Sequence, residues 1–208
     1  MKNVKTIVTV VIVGLLAISA MTATAGEDNT IKTEDEVVIL GGRWNLEASG
    51  NVLVPIGIGA DYLNTGFGFF GTVTHPVWSK GSSHLKVGLS VGYVEYPVSD
   101  GYYDINTSFS SIPIMFGFES SWGSDIRYYI RGMFGAIVNS VEVCDDYGYC
   151  VGSDSETDVG FLADTGLQFK VWKDLLLVVS VGMLFYDYMS DTDMWGTINV
   201  TAHIGYEI

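Results

Sequence analysis

The chain has 208 residues with 24 acidic and 10 basic side chains, giving a formal net charge of −14 at pH 7. This acidity argues against nucleic acid as a partner, because binding to a phosphate backbone relies on basic side chains. Its 25 glycines, 12 tyrosines and only 4 prolines, with no 3.6-residue apolar period beyond the N-terminal segment, predict one all-β domain.

The first 25 residues have the pattern of a secretory signal peptide. Lys2 and Lys5 precede an apolar run from Ile7 to Ala20, and Ala23-Thr24-Ala25 supplies the small-x-small pattern read by signal peptidase. A membrane anchor helix is the alternative, but it needs roughly 20 apolar residues, and this run is shorter and leads into an acidic stretch. We therefore predict export, cleavage after residue 25, and a short segment of residues 26–36 ahead of the folded domain.

Alternation of apolar and polar residues predicts about eight strands in the rest of the chain. They are 37–46, 66–75, 85–94, 108–119, 126–139, 159–170, 175–186 and 197–208. The apolar set of each strand is predicted to face lipid, and the small or polar set to face a closed lumen. Residues 52–62 are too apolar for an ordinary loop, so we predict that they extend the first hairpin or fold over the mouth. One further strand would make a barrel of ten.

The connections between these strands alternate between short and long. Each short connection holds one tryptophan, and further aromatic residues gather near the long connections. The predicted interface aromatics are Trp78, Trp122 and Trp172 at one end and Trp195, Tyr93 and Tyr186 at the other. For a single turn tryptophan, a place over a soluble core is an equal alternative. Two belts at opposite ends are typical of a barrel that crosses a membrane.

With these features the chain resembles the small eight-stranded outer-membrane β-barrel proteins of Gram-negative bacteria. The resemblance is carried by residues 111–118, the tight turn after them, residues 126–135, and the C-terminal strand. That strand is similar to the signal read by the barrel assembly machinery, with Tyr206 in it and Ile208 where an aromatic residue is usual. The resemblance implies a transmembrane antiparallel up-and-down β-barrel of residues 37–208, with residues 26–36 in the periplasm. It also implies a monomer surrounded by outer-membrane lipid and lipopolysaccharide, with the assembly machinery as a partner.

Five of the eight basic residues of the exported chain fall in the inward-facing set. The predicted lumen network is Arg43, Lys86, Glu119, Arg127, Arg131, Asp164, Gln168, Lys170, His203 and Glu207. Charges inside a narrow barrel must pair, because an isolated buried charge is very costly. The network therefore predicts that paired polar and charged side chains plug the lumen. The alternative is a narrow pore whose ion pairs exchange partners.

Cys144 and Cys150 are the only cysteines, and they flank the tip of the longest predicted loop, 140–158. In an exported protein this spacing predicts a disulfide, whereas zinc would lack ligands. The long loops carry half of the acidic residues. We expect a solvated acidic rim with at most weak binding of divalent cations, and no cofactor.

The sequence gives little support for catalysis. Gly88-Leu-Ser-Val-Gly92 has the spacing of a Gly-x-Ser-x-Gly motif, but it lies inside the predicted strand 85–94 and not at the strand-to-helix turn that a nucleophile elbow needs. No histidine is followed by serine, so an enzyme is not expected; a lipid A-modifying enzyme is the residual alternative. Our first hypothesis is a barrel with a structural or surface-interaction role. The others are a narrow cation-preferring pore and a soluble lipocalin-like carrier of a hydrophobic ligand, whose apolar faces would point inward.

Overall fold

The computed structural model describes residues 31–32, 38–39, 42–57, 59–98, 106–144, 150–187 and 195–208. The predicted signal peptide and residues 26–30 lie outside these ranges. Among the described residues, no helix is long and apolar enough to cross a membrane. The strands are β1 (Ile31–Lys32), β2 (Val38–Ile39), β3 (Asn45–Ile56), β4 (Gly66–Lys80), β5 (Ser83–Pro97), β6 (Asn106–Trp122), β7 (Ile126–Cys144), β8 (Cys150–Trp172), β9 (Leu175–Asp187) and β10 (Trp195–Glu207), with one short helix, α1 (Gly59–Tyr62).

Strands β3 to β10 close into an eight-stranded antiparallel barrel, which confirms the predicted fold class. Each strand pairs with its neighbour in sequence, and β3 closes the cylinder against β10, with Asn45 opposite Glu207 and Ile56 opposite Gly196. The two-residue strands β1 and β2 extend the sheet only beside the end of β4, where Val38 lies opposite Ser79. They add no wall to the barrel, so a ten-stranded barrel is not formed.

The first barrel strand differs from the prediction. It was expected at 37–46 but runs from Asn45 to Ile56, and all twelve residues pair with β10. Residues 52–56 thus complete a wall strand and do not extend a hairpin above it, while α1 follows at Gly59–Tyr62. The alternation was hard to see because small residues, Ala48 and Gly50, take outward positions between Leu46 and Val52.

The connections are short at one end and longer at the other, as predicted. The two-residue turns at 81–82 and 173–174 and the turn at 123–125 close one end. At the other end, the predicted loop 140–158 is mostly hairpin: β7 continues to Cys144 and β8 starts at Cys150, with Cys144 and Cys150 as cross-strand partners. The strands continue because serine and charged residues there still alternate in a pairing register.

The outer surface of the barrel is apolar and the inner surface is largely polar. Large hydrophobic side chains stand exposed around the wall, including Phe69 at 71%, Ile204 at 61% and Val200 at 56% of their full area. Inward positions hold Glu119, Arg131 and other polar groups that are nearly inaccessible to solvent. A soluble carrier would have the opposite parity. The observed parity is that of a barrel whose outer solvent is lipid.

Two glycines on the neighbouring strands β6 and β7 test how closely the backbones and side chains of the barrel wall are packed. A Cβ on Gly117 would lie 2.1 Å from the carbonyl oxygen of Gly132, whereas a Cβ on Gly132 would meet nothing within 4 Å. We expect Gly117→Ala to lower the free energy of unfolding by about 1–3 kcal/mol, and Gly132→Ala to change it by less than about 0.5 kcal/mol. Urea unfolding in lipid vesicles, followed by tryptophan fluorescence, measures both. Equal effects would contradict this close approach.

Candidate functional site

The inside of the barrel is organised around Arg131. Its side chain is 2% exposed on β7, and the register puts Glu119 of β6 and Asp164 of β8 directly opposite it on either side. The guanidinium donates from Nε and Nη2 to Glu119 Oε2 at 3.0 and 2.5 Å, and from Nη2 to Glu47 Oε2 at 2.7 Å. Asp164 Oδ2 is 3.8 Å from Nη1. One guanidinium therefore joins strands from opposite walls of the lumen.

Glu119 is the most heavily coordinated carboxylate of this cluster. In addition to Arg131, it accepts from Lys86 Nζ at 2.8 Å and Gln168 Nε2 at 3.2 Å, and it is 1% exposed. Charge-assisted hydrogen bonds of this kind offset the loss of hydration that burial imposes. The predicted residues Lys86, Glu119, Arg131, Gln168 and Asp164 are therefore brought together in the lumen.

Glu47 belongs to the same cluster but was not predicted. It accepts from Asn45 Nδ2 at 2.8 Å, and His203 Nδ1 lies 3.3 Å from its Oε2. His203 Nε2 in turn lies 3.0 Å from Ser180 Oγ, so His203 is a partnered lumen residue. Placing the first strand too early in the chain hid Glu47. The polar alternation Asn45-x-Glu47-x-Ser49 was the signal that could have found it.

Four predicted network residues lie at the end of the barrel with short turns. Arg127 Nη1 donates to Glu207 Oε1 at 2.5 Å, and both side chains are partly buried. Arg43 is exposed and binds Asp174 outside the lumen. Lys170 is also exposed, beside the irregularity between Lys170 and Trp172. The lumen prediction is wrong for Arg43, which precedes β3, and for Lys170, which lies at the end of β8.

The other half of the lumen is filled by apolar and tyrosine side chains, which the predicted polar plug did not include. Leu53, Ile137 and Leu184 are fully buried there, and Tyr96 Oη lies 3.0 Å from Tyr186 Oη. Tyr186 was predicted as an interface aromatic but is 0% exposed, because it shares the inward parity of Leu184. The lumen thus has an ionic half and a predominantly apolar half, which also holds the buried pair Asn139 and Asp158.

Little free space remains around Arg131 itself. A cavity of about 20 Å³ lies against Arg131, Asp164 and His203, and Asn51 and Thr201 also line it. This is room for about one water molecule. Asp164 Oδ1 is buried without a hydrogen-bond partner, so a water here has a group to bind.

The remaining predicted residues fall mostly where expected. Trp78, Trp122 and Trp172 are exposed near the short turns, and Tyr93 is exposed near the other end. Tyr206 is exposed on β10, and Ile208 exchanges backbone hydrogen bonds with Trp44. The side chains of Trp195, Cys144 and Cys150 lie outside the described residues.

The acidic rim is described only in part. Asp158 faces inward, 4% exposed, and accepts from Asn139 Nδ2 at 2.5 Å, so it is not a solvated loop residue. Glu95, Glu142 and Glu156 are exposed. Across the part of the chain that the structure describes, no group of three or more His, Cys, Asp or Glu could hold a metal ion; residues 99–105, 145–149 and 188–194 fall outside that part.

Comparison with solved structures identifies the fold. Neisserial surface protein A matches with a TM-score of 0.53 at 11% identity, over 79% of this chain and 97% of its own. Ail, the attachment invasion locus protein of Yersinia pestis, matches with a TM-score of 0.50 at 13% identity, over 79% and 99%. The outer membrane enzyme PagL matches with a TM-score of 0.51 at 16% identity, over 76% and 97%.

No protein-family model and no curated protein match the chain. The structural matches define the class: the chain has the fold of the small eight-stranded outer-membrane β-barrels, as the sequence resemblance implied. Identities this low establish the fold alone, and the fold is shared by surface proteins and by an enzyme. The expectation that this protein is not an enzyme therefore stays a prediction.

Proposed function

We propose that this protein is an outer-membrane β-barrel with a closed lumen, which has a structural or surface-interaction role and presents acidic loops outside the cell. The observation that carries the proposal is the occlusion of the lumen at two levels. The Arg131 cluster closes one half, and the layer around Leu53, Tyr96 and Tyr186 closes the other. A barrel of eight strands is narrow enough for side chains to fill it.

Charge distribution supports the proposed orientation. Arg43, Lys80, Lys86, Arg127, Lys170 and Lys173 all lie near the end with short turns. The connections at the other end, 57–65, 98–105, 145–149 and 188–194, contain no lysine or arginine and several aspartates. In the topology of small outer-membrane barrels the longer connections are outside the cell. An outer rim of this charge suits divalent cations that bridge it to anionic lipopolysaccharide.

Planar-bilayer recording of the refolded barrel tests the closed lumen. We expect no conductance steps from the unaltered protein. Arg131→Ala and Asp164→Ala loosen the ionic half only, so the apolar layer should still limit current. Cation-selective steps from the unaltered protein would contradict the proposal.

A narrow cation-preferring pore is the second candidate. It is favoured by the position of Asp164, whose Oδ2 lies 3.8 Å from Arg131 Nη1 and whose Oδ1 has no partner. Arg131 thus has an alternative acid to pair with if its bonds to Glu47 and Glu119 open. Under this reading Asp164→Ala should change the ion selectivity of a current that is already present.

The β7–β8 hairpin is proposed to carry a disulfide. Cys144 and Cys150 are Cα partners, and directly opposed residues of antiparallel strands lie about 4.5–5.5 Å apart at Cα, within the usual range for a disulfide. We expect no maleimide labelling of the unfolded, unreduced protein and labelling at two sites after reduction, measured by mass spectrometry. Labelling before reduction would contradict the disulfide.

A further inference from the structure

The end of the barrel with short turns contains a polar cavity that a closed lumen does not require. Its volume is about 170 Å³, room for several water molecules. The lining groups that matter here are Arg43, Lys86, Arg127, His84, Asn45 and Glu207. Two cations of low exposure, Lys86 and Arg127, and one carboxylate, Glu207, therefore border a common space, while Arg43 borders it from the exposed side.

The cations at this cavity keep donors that their partners do not use. Arg127 Nη1 donates to Glu207, while Arg127 Nε is buried and has no acceptor. Lys86 Nζ carries three N–H donors, one of which binds Glu119. An anion in the cavity would accept from these donors in place of water.

Asn45 adds a feature that narrows the ligand class. Its side chain is 2% exposed, its Nδ2 donates to Glu47 Oε1, and its Oδ1 has no partner. The amide orientation is fixed, because a carboxylate only accepts and must face the amide nitrogen. The cavity thus presents an unpaired acceptor among its donors, and an anion that also carries a hydroxyl group matches both kinds of group.

We propose that this cavity binds a small oxyanion that carries a hydroxyl group, with hydrogen phosphate as the simplest example. The lining residues Asn45, Lys86 and Arg127 lie on the inner side of the wall. A lipid headgroup lies outside the wall, so the ligand is a solute that enters from the open end. The proposed orientation makes that end the periplasmic one.

Titration of the folded barrel with inorganic phosphate tests the proposal. In nanodiscs of zwitterionic lipid, we expect saturable shifts of the Arg127 Nε–H and His84 ring signals in NMR spectra. Sulfate has the same shape but no hydroxyl at neutral pH, so it should bind about tenfold more weakly or worse, because Asn45 Oδ1 stays unpaired. Equal binding of the two anions, or no saturable shift, would overturn the proposal.

A matched pair of variants separates a site from general attraction. Arg127→Gln should raise the phosphate dissociation constant about tenfold or more. Lys173→Gln removes the same charge from an exposed turn at the same end and should change it less than about twofold. Retained heat-modifiable mobility of both variants shows that they are folded. An equal loss of phosphate affinity in the two variants would overturn the site. NMR shifts that appear in nanodiscs of anionic lipid without added phosphate, and only there, would also overturn it.

Discussion

Arg131→Met is expected to lower the free energy of unfolding by about 3–5 kcal/mol, the typical cost of removing one partner from a buried ion pair. Arg131 is 2% exposed and is the only guanidinium that bonds both Glu47 and Glu119 among the residues described here. Without it Glu119 keeps Lys86 as a cation, but Glu47 keeps only the Asn45 amide and His203 beside it. Urea titration in lipid vesicles measures the loss.

The double variant Arg131→Met with Glu47→Gln is the control for this prediction. The Glu47→Gln substitution removes the buried charge that Arg131→Met leaves without its cation, so part of the lost stability should return. A double-mutant cycle gives the coupling between the two residues. If Arg131→Met alone changes stability by less than about 1 kcal/mol, the cluster does not hold the walls together.

Val200→Arg is expected to cost about 2–4 kcal/mol in a bilayer, because it places a charge near the middle of the lipid-facing surface. Val200 is 56% exposed between the apolar positions Ile198 and Ile204 of β10. The free energy of unfolding of both proteins, measured in lipid vesicles and in detergent, gives the effect. The loss of stability caused by Val200→Arg should be larger in the vesicles than in detergent.

Ile126→Arg is the matched control for the depth of the new charge in the bilayer. Ile126 is 59% exposed, as much as Val200, but it is the first residue of β7 beside a turn. There the new charge reaches the interface, and the cost should fall to about 0–1 kcal/mol. Equal costs at the two positions would show that the apolar wall does not span lipid.

Alternation predicted the barrel well where one face of a strand is polar and the other apolar. Strand β7 is an example, since Arg127, Tyr129 and Arg131 point inward while Ile130 and Phe134 face out. Parity therefore predicted which of these residues enter the lumen. It did not predict the register, which places Arg131 opposite both Glu119 and Asp164.

The pattern failed where both faces of a strand are apolar. In β9, Leu176, Val178 and Leu184 are buried in the lumen, although they are as apolar as the outward residues between them. Parity then predicts which side chains point into the lumen but not that they form an apolar layer there. For this reason the apolar layer and the inward position of Tyr186 were not predicted. The cross-lumen contact of Arg131 with Glu47, 84 residues apart, follows from closure of the cylinder and not from any local signal.

Gel mobility with and without boiling, on protein recovered from the outer-membrane fraction, tests the membrane barrel most directly. A closed barrel resists detergent until it is heated, because every strand is paired and no edge is open. We predict a faster band in the unboiled sample and none of the protein in the soluble periplasmic fraction. Identical mobility of both samples, with the protein in the soluble fraction, would contradict a barrel that spans the membrane.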